Sequence, residues 1–359
     1  MTLSNEQLNI VKAKQSQIAV IGPPGTGKTR VLTERIKHLL DNGVPQNSMA
    51  AITFTNFAAN EMRNRLPNAE QMFIGTMHSY AAQILLKNGI IIDMEEMAEK
   101  NDFSKLIDMV LENNLVIPEV DYLFVDEVQD LCYNEFNFVL KINPNHLFLC
   151  GDADQCIYQF KGARPRLFTS YCKSPDTTTY TLTKNFRCGQ NIIDYANYFV
   201  MNIPDRINVP VTGNVIDRGH VIKTDFDDAF YNLLMDKNYG SWFILTRTNA
   251  ELDSIAKKLE EYNVPCTSFR QGDFTNEEIE NFVKNDDVKL LTIHSAKGLE
   301  TDNVIVVGAK GWNNEEKCIE YVAATRARKR LYWCPTVVRA QVKRKNTANN
   351  TKPVGIRWE

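Results

Sequence analysis

The sequence predicts an α/β protein with two parallel sheets in tandem, and three observations carry that expectation. Short apolar runs of strand length recur at 18–21, 50–52, 122–125, 147–150, 180–182, 242–245, 289–293 and 304–307, with helical patterns between them. That many buried strands exceed one comfortable sheet, which places a break near residues 183–184. A chain of 359 residues fits two to three domains, and it buries enough surface to fold without disulfides.

The elements follow in order. The first apolar run, 18–21, enters a glycine-rich turn and then a helix. Val31, Leu32, Arg35, Ile36, Leu39 and Leu40 fall at helical spacing, and Asn42-Gly43 closes that helix. After the second run, residues 95–115 are amphipathic and predict a small helical element. The run at 122–125 delivers Asp126 and Glu127 to one edge of the first sheet. The runs at 147–150 and 180–182 complete that sheet, and the last three build the second. Beyond about Pro335 the pattern weakens into a basic segment that includes Thr347-Ala-Asn-Asn-Thr351.

Composition narrows the classes. Hydrophobic residues at 43% and charged residues at 24% are globular values and exclude wholesale disorder. The net charge of −3 hides an asymmetry, because residues 326–359 carry ten Lys or Arg against the single acid Glu359. That pattern argues against indiscriminate coating of nucleic acid and permits a local basic track. Eight cysteines without a C-x-x-C pair suit reduced, buried thiols rather than zinc, an iron–sulfur cluster or a disulfide frame. No run approaches the roughly 18 apolar residues of a membrane span, and the polar N-terminus lacks a secretory signal. The expectation is a cytoplasmic protein, or one of the nucleoid or of a host cell if viral.

Gly22-Pro23-Pro24-Gly25-Thr26-Gly27-Lys28-Thr29 satisfies the phosphate-loop pattern G-x-x-x-x-G-K-[ST], between a strand and a helix as such a loop requires. Its backbone N–H groups and the helix N-terminus converge on phosphate, Lys28 adds a point charge and Thr29 offers a magnesium ligand. An isolated Asp-Glu pair is ordinarily a solvated loop. After an apolar strand, Asp126 reads as the magnesium-side acid and Glu127 as the general base for the attacking water.

These motifs have company. Val125-Asp-Glu-Val-Gln-Asp130, Ala51-Ile-Thr-Phe-Thr-Asn-Phe-Ala-Ala-Asn-Glu-Met62, Gly75-Thr-Met-His-Ser79, Gly151-Asp-Ala-Asp-Gln-Cys-Ile-Tyr-Gln-Phe-Lys-Gly-Ala163, Asn185-Phe-Arg187, Thr292-Ile-His-Ser-Ala-Lys-Gly-Leu-Glu300 and Tyr321-Val-Ala-Ala-Thr-Arg-Ala327 stand in one order. Together they resemble the superfamily 1 helicases of the UvrD/Rep/PcrA group, over about residues 3–333. The resemblance implies two tandem RecA-like domains with ATP and Mg2+ in the cleft between them. Residues 1–183 would form the first domain, with a small helical insertion at about 87–120. Residues 184–335 would form the second, and 336–359 a basic tail.

By that resemblance Gln7 reads the adenine edge, Arg30 joins the phosphate loop in binding nucleotide, and Gln155 senses the γ-phosphate. Arg187 and Arg326 act as arginine fingers, Glu300 holds the ribose, and Phe186 stacks on adenine where the family usually has Tyr. Read alone, Gln7 is a surface helix residue and each arginine a salt-bridge partner. The DNA-facing candidates are Phe54, Tyr158 and Phe160 as stacking rings, with His78, Lys161, Arg247, Asn249 and His294 as backbone or base contacts; for an unplaced ring the alternative is core packing. Phe160 replaces the family's Trp, and Phe57 stands where the family usually has Lys.

The departures bear on activity. The family carries two large insertions, and here residues 79–125 and 281–287 are too short for either. The resemblance implies a monomeric ATP-driven motor on single-stranded DNA, moving 3′→5′, with tailed duplex and a loader, replication or repair protein as further partners and no membrane contact. A second class is a single-stranded-DNA-stimulated ATPase or DNA-binding regulatory module that needs a partner to unwind duplex. A third, a small-molecule kinase, shares residues 22–29 but gives no reason for a second sheet ending in Thr325-Arg326. The basic tail reads as a phosphate-contacting arm or as a solvated terminus.

Overall fold

The computed structural model describes residues 2–93, 95, 97, 102–214, 217–270, 276–309, 311 and 313–335. The first sheet has six parallel strands in the order β3-β2-β4-β5-β1-β6, namely β1 (Gln17–Ile21), β2 (Met49–Thr53), β3 (Phe73–Thr76), β4 (Tyr122–Val125), β5 (His146–Gly151) and β6 (Thr178–Thr181). The central strands are buried along their length because helices cover both faces, as parallel sheets require. Those helices are α1 (Asn5–Val11), α2 (Lys28–Asp41), α3 (Asn56–Arg65), α4 (Met77–Lys87), α5 (Ser104–Glu112), α6 (Tyr133–Ile142) and α7 (Pro165–Cys172).

The second sheet is also six parallel strands, ordered β11-β12-β10-β13-β14-β9. A two-stranded ribbon, β7 (Lys184–Gly189) with β8 (Thr212–Asn214), stands apart from both. The second sheet uses β9 (His220–Lys223), β10 (Trp242–Thr246), β11 (Cys266–Phe269), β12 (Val288–Thr292), β13 (Thr301–Val307) and β14 (Ala327–Cys334). Its helices are α8 (Gln190–Val200), α9 (Phe226–Asp236), α10 (Asn249–Glu261), α11 (Asn276–Lys284) and α12 (Asn314–Ala324).

Several strands lack the apolar signature and were not among the expected runs. The β3 edge, the β7–β8 ribbon and the short β9 and β11 edges are only partly buried, so polar residues are tolerated on them. Of the amphipathic stretch 95–115, the structure describes α5, whose Leu106, Ile107 and Val110 seal against α4 and α6. Residues 94, 96 and 98–101, and the whole basic tail at 336–359, lie outside the described residues.

The two domains exchange segments. Cys156, Ile157, Tyr158 and Ala163, which follow β5, are buried in the apolar cluster of the second sheet. In return Val209, from the connector between α8 and β8, is buried in the first domain's cluster, with Ile207 and Val211 packed beside it. Between β6 and the second sheet's first strand, β9, the chain passes through the β7–β8 ribbon and this connector, and side chains before and after residues 183–184 pack into the opposite core.

Candidate nucleotide site and nucleic-acid track

Parallel α/β sheets bind ligands beyond the carboxyl ends of their strands. Here β1 presents the phosphate loop, β4 presents Asp126-Glu127, and β5 presents Asp152 to Gln155. The loop needs glycine at two places. Gly25 has φ 78°, and a Cβ there would come within 2.6 Å of the Arg187 Cβ and 2.7 Å of the Asn185 Oδ1. Gly27, at φ 89°, caps α2 and would meet the Gln7 amide at 2.8 Å. Lys28 is buried and donates to the Gly22 carbonyl at 2.6 Å, curled within the loop it serves. The Thr29 hydroxyl donates to Asp126 Oδ2 at 2.7 Å. A hydroxyl and a carboxylate side by side form the hard oxygen donor set that suits Mg2+. Gly22, Pro23 and Pro24 are buried, Thr26 donates to the Pro23 carbonyl at 2.8 Å, and Arg30 sits half-buried in the first turn of α2.

Glu127 has φ 55°, a left-handed conformation that is strained for a side chain of its size. That kink turns the chain from β4 into a short turn and aims the carboxylate at the cleft. Burial alone would raise its pKa, but Lys28 and Lys297 outweigh burial and hold it ionised below the usual range. Its neighbour Asp126 moves the other way, raised by burial and by the charge of Glu127. A relay of amides links Glu127 to the next strand. The Gln129 amide donates to Glu127, and its oxygen accepts from the Asp152 N–H at 2.9 Å. Asp152 Oδ2 then accepts from the buried Gln155 amide at 2.7 Å.

The second domain closes the site. Asn185 donates to the Pro24 carbonyl at 2.6 Å, and the Phe186 N–H donates to the Gly25 carbonyl at 2.8 Å. These bonds fasten the Asn-Phe-Arg segment to the phosphate loop. The Phe186 ring lies under the Lys184 ammonium, 5.4 Å from its centroid. Arg187 pairs with Glu300, which also accepts from Arg328 at 2.7 Å. Burial would raise the Glu300 pKa, but the two arginines together depress it. Arg326 is fully buried, donating to the Val322 and Leu299 carbonyls at 2.9 and 3.1 Å. Burial and the charge of Arg187 lower its pKa to about 9, while Glu300 and Glu127 support its charge. Arg187 thus stands against the phosphate loop beside Gly25, whereas Arg326 spends its hydrogen bonds on its own domain and reaches Glu127 only through its charge.

Two expected nucleotide contacts are occupied from within the protein. Gln7 donates to the Thr26 carbonyl at 3.1 Å and accepts from the Ser4 N–H at 3.0 Å, so its amide braces the phosphate loop as well as capping α1. It is buried, not the surface helix residue that its position alone suggests. Glu300 likewise holds two arginines.

Sequence reasoning missed Lys297. Of the motif residues in the connection from β12 to β13, His294 meets the Ile157 carbonyl, Glu300 holds Arg187 and Arg328, and Lys297 reaches the first domain's acids. The Lys297 ammonium crosses the seam to pair with the fully buried Asp130. It lies 3.8 Å from Glu127 Oε2, donates to the Gln155 carbonyl at 3.0 Å, and sits 5.2 Å from the Tyr158 ring centroid. Burial would strip its proton, but Asp130 and Glu127 hold it and raise its pKa. Asp130 is pushed up to about 7 by burial in spite of Lys297. The signal was its place in the Thr292–Glu300 motif, which by itself does not say which cation the buried acids need.

The aromatic candidates assemble where the domains meet. Phe54 stacks on Tyr158 at 5.1 Å between centroids, and Phe160 meets His294 edge-on at 5.4 Å. Phe160 is 63% exposed. Tyr158 corrects the expectation of an exposed ring: it is 4% exposed, sealed under Phe54 and between the Lys161 and Lys297 ammoniums. Its ring supports the platform from beneath. His294 accepts or donates at the Ile157 carbonyl, 3.2 Å away, and burial with the Arg247 charge lowers its pKa to about 4. Arg247 pairs with Glu316, and Asn249 is exposed at the start of α10. His78 is set apart, half-buried with its ring 6.4 Å from Phe103 of the small insertion, its pKa lowered by burial.

Two parallel sheets that share a phosphate loop, an acid pair and opposing arginines at one seam define a P-loop nucleotide-binding protein of the tandem RecA-like type. Residues 3–119 and 113–176 match the UvrD/REP helicase N-terminal domain, and residues 273–336 match the UvrD-like helicase C-terminal domain. The chain belongs to the UvrD-like helicase family. It is 26% identical to the ATP-dependent DNA helicase PcrA of Leuconostoc citreum, over 73% of this chain and 49% of that protein. It is 25% identical to PcrA of Staphylococcus epidermidis, over 81% and 55%, and 24% identical to a probable DNA helicase II homolog of Mycoplasma capricolum, over 73% and 51%. The chain spans about half the length of these curated relatives.

Proposed function

We propose that the protein is an ATP-dependent motor that moves along single-stranded DNA. The observation that carries this reading is the composite seam. Lys28, Asp126 and Glu127 of the first domain face Arg187, Lys297 and Arg326 of the second, so the cleft that would hold a triphosphate is also the joint between domains. Thr29 and Asp126 would hold Mg2+, which supplies neutralisation of the phosphate charge. Glu127, kept ionised and fixed by Gln129, takes the proton of the attacking water. Arg187 and Arg326 stabilise negative charge that develops on the transferred phosphoryl group. Phe186 stacks on the base, and Gln7 trades its Thr26 bond for the adenine edge.

Because Lys297 touches Glu127, Gln155 and Tyr158 together, closing of the cleft moves the ring platform of Phe54, Tyr158 and Phe160. Alternating grip on a strand stacked against Phe160 then advances the motor, 3′→5′ by family resemblance. Lys161 and His294 flank that platform, Arg247 adds its charge beside His294, and Asn249 is assigned to the strand by family resemblance alone. Among the described residues no helix is long and apolar enough to cross a membrane.

The test is ATPase rate with and without single-stranded DNA for the Lys28→Ala and Glu127→Gln variants. Both lose DNA-stimulated turnover, and Glu127→Gln still binds ATP; turnover persisting in both rejects the site. The short stretches at 79–125 and 281–287 favour a second reading, in which the chain hydrolyses ATP on DNA but needs a partner to separate duplex. Strand displacement on a 3′-tailed duplex, alone and with candidate loaders, separates the two.

A further inference from the structure

The connector between α8 and β8 leaves the second domain, lies on the first and returns. Val209 is buried there at 4% exposure. Between the apolar contacts of this connector, Arg206 enters the first domain beside the nucleotide cleft. Its Nε donates to Asp154 Oδ2 at 2.6 Å, with the two side chains only 10% and 8% exposed, and its Nη1 donates to Asn208 at 3.0 Å. Nothing in the phosphate chemistry described above uses Arg206.

Asp154 occupies a demanding position. It sits in the turn after β5 between Asp152, which accepts from the Gln155 amide, and Gln155 itself. One oxygen of Asp152 accepts from the Asp154 N–H at 3.2 Å and the other from the Gln155 amide at 2.7 Å. Two buried carboxylates two residues apart repel, and an uncompensated buried charge is expelled or neutralised. Either response reshapes a turn that places Gln155 and, through the Asp152 N–H, the Gln129–Glu127 relay. Arg206 is the cation that makes the tight turn tenable. Burial and Asp152 push the Asp154 carboxyl up to about 7, opposed by Arg206.

We propose that Arg206 is a positioning residue for Gln155: by pairing with Asp154 it holds the turn after β5 in register with the phosphate loop, so that recognition of a triphosphate depends on how the second domain's connector is seated on the first. This rests on the reading of Gln155 as the group that faces the γ-phosphate. The pair also pins together the two exchanged segments, because the residues just after Gln155 lie in the second domain's core while those just after Arg206 lie in the first domain's. Seating of the connector and shape of the sensor turn are therefore one event.

The experiment measures affinity for ADP and for a non-hydrolysable ATP analogue, both with Mg2+, in the wild type, Arg206→Met, Arg206→Lys and the double variant Arg206→Met/Asp154→Asn. Arg206→Met leaves ADP affinity within about twofold and weakens the analogue about tenfold. Arg206→Lys, which keeps the charge but not the planar fork, falls between. Adding Asp154→Asn removes the stranded carboxylate and restores the analogue to within about threefold. A wild-type ratio in Arg206→Met, an equal loss of both nucleotides, or no recovery in the double variant overturns the proposal. A wild-type protein that discriminates the triphosphate yet shows no DNA-stimulated turnover sinks the motor reading and leaves Arg206 in place.

Discussion

Replacing Lys297 with Met tests the seam most directly, because the change keeps most of the side chain's apolar stem and deletes its charge together with its bonds to Asp130 and the Gln155 carbonyl. Asp130 then loses its partner while its own side chain remains fully buried. Breaking a buried pair in this way costs about 3–5 kcal/mol. The attraction lost between the ammonium and Glu127, at 3.8 Å and an effective dielectric near 20, is about 4 kcal/mol before solvent relaxation. The two figures agree in scale, and a net loss of about 3 kcal/mol corresponds to a fall in Tm of roughly 4 °C for a cooperative unit of this length. The loss depends on pH. A buried carboxyl whose folded pKa lies above the unfolded value of about 3.9 binds a proton in the fold that the unfolded chain has already released. The variant is therefore less stable at pH 8 than at pH 6, and Asp130→Asn in the same chain removes most of the difference. Thermal melts of the wild type, both single variants and the double variant, at both pH values, complete the cycle. Melting of Lys297→Met within a degree of the wild type, with strictly additive effects, would refute the assignment of Lys297 as the counter-charge of the first domain's acids.

Other outcomes can be checked one variant at a time. Phe160→Ala weakens single-stranded DNA binding by about 1–3 kcal/mol with Tm nearly unchanged, since the ring is exposed; Tyr158→Ala lowers Tm instead, by a cavity cost of about 3–5 kcal/mol. Gly25→Ala forces a Cβ against Arg187 and Asn185 and loses nucleotide affinity by equilibrium titration, more than tenfold. Glu127→Gly is more stable than Glu127→Ala by about 1 kcal/mol in denaturant titration because it relieves the left-handed backbone, although both are inactive in an ATPase assay. Removal of residues 336–359 flattens the dependence of DNA affinity on salt if the basic tail contacts phosphate, and an unchanged slope assigns the tail to solvent.

Much of the fold was legible because its central strands are buried on both faces and so read as unbroken apolar runs. The missed strands were the edges β3, β9 and β11, which carry mixed residues, and the inner β14, whose exposed Arg328-Lys329-Arg330 breaks its apolar run. The phosphate loop and Asp126-Glu127 announced themselves because each needs fixed residue types at fixed spacing. What stayed hidden were dependences between distant residues. That Asp130 needs Lys297, or Asp154 needs Arg206, is decided by which carboxylates the fold dehydrates, and no local pattern encodes it. Tyr158 shows the same limit, for a ring flanked by Lys161 and Gly162 looks exposed until the second sheet covers it.

The reciprocal packing of residues 156–163 and 207–211 has a practical consequence. Severing the polypeptide near residue 183 would leave each half with a hole in its interior and a greasy strip on its exterior. Separately produced halves should therefore clump or melt early, and recover when mixed. Each half finishes the other's interior.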